Sequence, residues 1–124
     1  MATSTMKLKT AHYETYATGT TLAQLKNVLD ALPYEQYMAT KLTITNSGQG
    51  SNILLSPSDN RDTVRIYYAT NTPYNASNMA MAWQLVYNMT AQTIKFYQLV
   101  QPVNGSFSSS EPTVSGWTLS ILVA

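Results

Sequence analysis

The segment from Ala80 to Gln101 constrains the fold more than any other, because apolar and polar residues alternate along both of its arms. Successive residues of a strand point to opposite faces of a sheet. One face of the first arm therefore takes Met81, Trp83, Leu85, Tyr87 and Met89. The register that pairs Asn88 with Thr93 joins apolar residues across the arms: Tyr87 with Ile94, Leu85 with Phe96, and Met81 with Val100. A slip of one residue would set these residues against polar ones, so the pattern predicts a hairpin with a defined register.

Further strands are predicted where β-branched and aromatic residues alternate with polar ones, at 6–18, 40–45, 53–55, 63–69 and 117–123. Because the hairpin's apolar face needs partners, we expect a core formed by residues from four other segments. The expected partners are Leu42, Ile44, Val64, Ile66, Leu119, Ile121 and a helix face of Leu25, Val28 and Leu29.

One amphipathic helix is predicted over residues 21–32. Its apolar residues recur at helical spacing, and Thr20 or Thr21 can cap its first turn. Pro33 ends it, since the residue before a proline is pushed out of the α region. Residues 34–38 are interpreted as a connector, and Pro102 to Pro112 as a flexible connector in which Ser106 to Ser110 are mobile, as are Met1 to Thr5.

These elements predict a single domain over residues 1–124. The expected fold is mainly β, an antiparallel sandwich or flattened barrel of about seven strands, with the helix covering an open end or one sheet. Only 10% of the residues are charged, against about 25% in average soluble proteins. The net charge of +1 provides no field for nucleic acid, and it leaves little repulsion to oppose self-association.

Composition also argues against an enzyme or a cofactor protein. The chain has no cysteine, a single histidine at His12, and six dispersed acids. Asp59 and Asp62 fit an Asx-type turn better than a calcium loop, and no phosphate-binding glycine motif is present. We therefore predict no catalytic residue, metal or cofactor. Apolar runs are too short for a membrane span and the N-terminus has no signal-peptide pattern, which predicts a soluble chain made in the cytoplasm.

Nine tyrosines, two tryptophans and two phenylalanines are the feature that indicates binding. Tyrosine and tryptophan offer a flat apolar surface with a polar end, which suits a protein interface or sugar stacking. The other interpretation is that most of them fill the core. The candidates for outward display are Tyr67, Tyr74, Tyr97 and Trp117, and the polar face of the hairpin adds Gln84, Lys95 and Gln101.

The overall character of the chain resembles small bacteriophage virion components, the capsid decoration and head or tail accessory proteins. The resemblance rests on a methionine start without a signal, no cysteine, few charges, abundant Thr, Ser, Asn and Tyr, and the C-terminal strand WTLSILVA. It implies a non-enzymatic virion protein, synthesised in the host cytoplasm, that forms a homo-oligomer, a trimer being one option, and docks on other virion proteins. The alternative is a carbohydrate- or receptor-binding module that contacts a glycan through Tyr74 and its loop.

Overall fold

The computed structural model describes residues 10–46, 52–58, 63–70, 79–102, 105–106 and 108–124. The elements follow in the order β1 (His12–Gly19), α1 (Leu22–Ala31), α2 (Tyr34–Met38), β2 (Thr40–Asn46), β3 (Asn52–Pro57), β4 (Val64–Thr70), β5 (Met79–Asn88), β6 (Thr93–Pro102), β7 (Ser108–Ser110) and β8 (Val114–Val123). Within these residues eight strands, all antiparallel, form a sheet in the order β1-β8-β2-β3-β4-β5-β6-β7.

The two ends of β3 pair with different neighbouring strands. Residues Asn52 to Leu55 of this strand pair with β2, whereas Ser56 and Pro57 pair with β4. Strand β3 thus joins a first half (β1, β8, β2) to a second half (β4 to β7), and apolar side chains from both halves enter one core. The prediction of a mainly β, antiparallel fold of sandwich or flattened-barrel type with a short helix is confirmed.

The β5–β6 hairpin has the predicted register. Asn88 lies opposite Thr93, and the three apolar pairs of the prediction are all present. Met81, Trp83, Leu85 and Tyr87 are buried, as alternation requires. Trp83 also stacks on Phe96, with ring centroids 5.7 Å apart and ring planes 9° from parallel.

Helix α1 begins with a capping box. Gln24 N–H donates to Thr21 Oγ1 at 3.3 Å, and Thr21 N–H donates back to Gln24 Oε1 at 3.2 Å, so amides of the first turn are satisfied. The helix ends before Pro33, where Leu32 takes an extended conformation. Leu25 and Leu29 are fully buried. The predicted helix is confirmed, one residue shorter at each end.

Both ends of α1 are hydrogen-bonded to the sheet, each to a different half. Trp117 of β8 donates its Nε1–H to the carbonyl of Thr21 at 2.7 Å. Arg65 of β4 donates from Nη1 to the carbonyl of Leu29 at 2.5 Å, where the negative end of the helix dipole favours a cation. The helix therefore links the two halves and fixes their separation.

The face assignment of β4 is wrong. Arg65 and Tyr67 face the core, while Val64, Ile66 and Tyr68 lie on the other side of the sheet. Alternation alone allows either face, and the structure provides polar partners for the ends of the two inward side chains. Leu42, Ile44 and Leu119 are buried as expected, and Ile121 is partly buried.

Short elements were not predicted. Residues 34–38 form helix α2, and Ser108–Ser110 form β7, paired with Gln98 to Val100, so this part of the expected mobile connector is an edge strand. With β7 the described residues contain eight strands where about seven were expected. Strand β1 starts at His12 and continues to Gly19; residues 6–9 of the predicted strand, like 1–5, lie outside the described residues.

Gly19 and Gly116 provide a matched pair for testing how tightly Trp117 packs at the start of α1. A Cβ at Gly19 would lie 2.5 Å from Trp117 Cζ2 and 2.8 Å from Gln24 Oε1, whereas at Gly116 the nearest atom is 3.6 Å away. We expect Gly19→Ala to lower the free energy of unfolding by about 1–3 kcal/mol through overpacking, measured by urea denaturation. Gly116→Ala should be near neutral; equal effects of the two substitutions would contradict this packing.

Candidate interaction surface

The sheet face opposite the core, called the outer face below, carries an aromatic row at its centre. Tyr68 of β4 lies opposite Gln84 of β5, which lies opposite Tyr97 of β6. Tyr68 is 41% exposed, and Gln84 and Tyr97 are partly exposed. Two phenol rings therefore flank an amide on three neighbouring strands, which presents flat apolar area together with hydrogen-bonding groups.

Apolar pairs flank this aromatic row, next to Lys95 on one side and Thr70 on the other. Ile66 lies opposite Val86 on one side of it, and Ala82 lies opposite Leu99 on the other. Leu54 on β3 is 54% exposed. An antiparallel sheet that faces water usually places polar residues outward. The outer face departs from that pattern around the aromatic row and at Leu54.

The outer face continues onto the first half of the sheet. Leu54 pairs with Thr43, and Tyr13 of β1 pairs with Leu122 of β8. Tyr13 and Leu122 are 40% and 41% exposed. Lys41 Nζ lies 4.6 Å from the centroid of the Tyr13 ring, a cation–π contact at the surface. Exposed apolar groups thus occur on both halves.

The four polar-face candidates of the hairpin lie on the outer face together. Gln84 and Tyr97 are cross-strand partners, and Lys95 and Gln101 lie on the same side of β6 as Tyr97. Lys95 Nζ is 3.9 Å from Glu111 Oε1, with both side chains more than half exposed, so this pair contributes little to stability.

The predicted outward display of Tyr67 is wrong. It was expected to point outward, but it is fully buried: its hydroxyl lies 2.5 Å from Thr40 Oγ1 and its ring meets Tyr37 edge-on, with centroids 5.3 Å apart. Trp117 is likewise buried, because its indole N–H reaches the start of α1. Tyr74 lies outside the described residues.

Hydrogen bonds of the buried Tyr37 tie α2 to the second half of the sheet. The Tyr37 hydroxyl donates to the Ile66 carbonyl at 2.6 Å and accepts from the Ile66 N–H at 3.0 Å. Burial raises the pKa of Tyr37 to about 12. Burial also raises the pKa of Tyr67. Both phenols are structural and are not available to a ligand.

A slot lies where residues of β3, β4 and β5 meet. It has a volume of about 240 Å³ and is lined by Asn52, Ile53, Leu54, Ala69, Thr70 and Trp83. The indole Nε1–H of Trp83 has no hydrogen-bond partner among the described residues. No local sequence pattern indicates this slot, because its lining residues come from three different strands.

Titratable groups do not gather into a site in the described residues. No group of three or more His, Asp or Glu side chains there could hold a metal ion. His12 Nε2 lies 3.3 Å from Glu14 Oε1, but both side chains are more than half exposed and are neighbours on edge strand β1. Hydrogen bonds to the Thr10 carbonyl and to Glu14 raise the pKa of His12. The arrangement is a surface ion pair rather than a cleft.

No family model matches the chain, and neither the curated proteins nor the solved structures contain a match to it. Of the helices in the described residues, none is both long and apolar enough to cross a membrane.

The buried tyrosines predict a specific loss of stability at alkaline pH. Because the folded-state pKa of Tyr37 is raised above the unfolded value of 10.0, its contribution is complete below pH 10 and is lost as the pH rises towards about 12. We expect the free energy of unfolding to fall by about 1.4 kcal/mol per pH unit for one such group, measured by urea denaturation across this window. Tyr37→Phe should flatten the decline. A stability independent of pH up to 12 would contradict the burial of these phenols.

Proposed function

We propose that the protein is a non-enzymatic assembly protein that binds other protein surfaces through its outer face. One observation carries the proposal: the inner face of the sheet already has its core, yet the outer face displays Tyr68, Tyr97 and Leu54 beside partly buried Ile66 and Val86. Exposed apolar area of this kind on a small domain marks an interaction site.

The chemistry of the outer face fits a protein partner. Tyrosine is enriched at protein interfaces, and the Gln84 amide between two phenols supplies both donors and acceptors. Charge is sparse: Lys95 is already beside Glu111, and the whole chain carries a net charge of +1. Contact would therefore rest on apolar burial and neutral hydrogen bonds, with little dependence on salt.

The more specific proposal is a virion accessory or capsid decoration protein that forms a homo-oligomer and docks on other virion proteins. Its support is the resemblance in composition described above, together with an outer face suited to contacts between like subunits. A glycan ligand is the second candidate, since Tyr68 and Tyr97 present ring faces beside an amide. A glycan array probed with the wild-type chain and with Tyr68→Ala distinguishes it: only binding that Tyr68→Ala abolishes supports a sugar site here.

Self-association should depend on the outer face and not on exposed tyrosines in general. We expect the double variant Leu54→Ser, Tyr68→Ser to weaken self-association about tenfold or more, since truncating central interface residues costs about 2 kcal/mol or more. The measurement is sedimentation velocity over a range of concentrations, with native mass spectrometry for stoichiometry.

Tyr16→Ser is the matched control, because Tyr16 is 47% exposed but lies at the register shift of edge strand β1. It should leave the association unchanged. A wild-type chain that stays monomeric at every concentration, or a control variant that dissociates as readily as the double variant, would contradict an oligomer built on the outer face.

A further inference from the structure

The outer face has a trough along β5. The outward residues of this strand are Ala82, Gln84 and Val86, which alternate with buried ones. Each of the three is smaller than the residue opposite it on β4 and smaller than the residue opposite it on β6. The β4 partners are Thr70, Tyr68 and Ile66, and the β6 partners are Leu99, Tyr97 and Lys95. A ridge of larger side chains therefore runs along each side of the trough, the β4 ridge and the β6 ridge.

The two ridges differ in charge. The β4 ridge is uncharged, with Tyr68 41% exposed at its centre. The β6 ridge contains Lys95, whose Nζ lies 3.9 Å from Glu111 Oε1, and both of these side chains are more than half exposed. Taking such a pair out of water is unfavourable. The β4 ridge is therefore the one that suits a buried contact.

A second copy of the chain supplies a match for the trough. Its β4 ridge has the same row spacing as the trough, because β4 and β5 are neighbouring strands of one sheet. Sheets that pack face to face keep their strands within about 30° of each other, with the sheets about 10 Å apart. A two-fold axis parallel to the strands, between β4 and β5, would place Tyr68 of one copy over Gln84 of the other. The same contact occurs twice, which closes the assembly as a dimer.

Other two-fold arrangements fit less well. An axis across the strands would set Tyr68 against its own copy, so that ridge meets ridge and the trough stays unfilled, whereas well-packed interfaces leave few voids. An axis between β5 and β6 would fill the trough with the β6 ridge, but it would cover Lys95. Size and charge thus favour the same arrangement.

We propose that two copies bind face to face about this axis, with the β4 ridge of each copy in the trough of the other. The inference rests on the proposed function for self-association and adds the orientation of the two copies. At the centre, the Tyr68 ring covers the Gln84 side chain, and the phenol and the amide both donate and accept hydrogen bonds. The net charge of +1 leaves little repulsion between the copies.

Disulfide trapping tests the arrangement, because the chain has no cysteine of its own. Tyr68→Cys and ¹⁵N-labelled Gln84→Cys are mixed at a concentration where the wild-type chain self-associates by sedimentation velocity. Oxidised glutathione is added, and mass spectrometry separates mixed dimers from dimers of one variant. The mixed dimer keeps one intact contact between Tyr68 and Gln84, so trapping does not require the loss of both.

We expect the mixed disulfide to form about tenfold or more faster than the disulfide of either variant alone, because cysteines whose Cα atoms are more than roughly 7 Å apart are not bridged without backbone movement. Tyr97→Cys is the matched control, since Tyr97 lies opposite Gln84 on the other side of the trough. Its mixture with Gln84→Cys should form the disulfide no faster than the single variants.

The arrangement is overturned, with self-association intact, if the wild-type chain dimerises but the mixture of Tyr68→Cys and Gln84→Cys shows no such excess. Equal trapping with Tyr97→Cys, or equally fast trapping of Gln84→Cys alone, would overturn it as well, because each requires a different axis. A wild-type chain that stays monomeric at every concentration would remove both the proposed self-association and this arrangement.

Discussion

Helix α1 is held by opposite halves of the sheet, through Trp117 at its first turn and Arg65 at its last. The helix also lies against β1 and β6, which are far apart in the strand order. A sheet of this width can curl to different degrees, and a rigid helix between its distant strands selects one of them. The curvature, the core and the position of the outer face all depend on this link.

Arg65 shows what the link requires. Arg65 is 7% exposed. Its guanidinium lies 5.2 Å from the centroid of the Tyr37 ring and also donates to the Leu29 carbonyl. Burying a cation is costly, and a helix C-terminal carbonyl together with an aromatic ring offsets part of that cost. Once Arg65 faces inward, alternation places Tyr67 inward and Tyr68 outward. The aromatic row on the outer face thus follows from how the helix is anchored.

Local patterns predict the parts of this fold that are determined locally. The β5–β6 register follows from alternation within one hairpin, and α1 follows from its cap, its apolar spacing and Pro33. The orientation of β4 could not be predicted in this way, because arginine and tyrosine have both apolar and polar parts and suit either face. Its determinants are distant in sequence: Arg65 bonds a carbonyl 36 residues away, and Tyr67 meets a threonine 27 residues away. The slot is lined by residues of three strands that are distant in sequence, so no local pattern indicates it.

We propose that one face of this sheet builds the core and the other builds an interface. Solvent paramagnetic relaxation enhancement tests it directly, because a soluble paramagnetic agent broadens signals from exposed nuclei and spares covered ones. Spectra of the full chain at low and high concentration should show Leu54 methyl and Tyr68 ring signals becoming protected at high concentration, while Tyr16 remains accessible. Protection that appears at β1 and not at Leu54 and Tyr68, or accessibility unchanged at every site, would contradict the account.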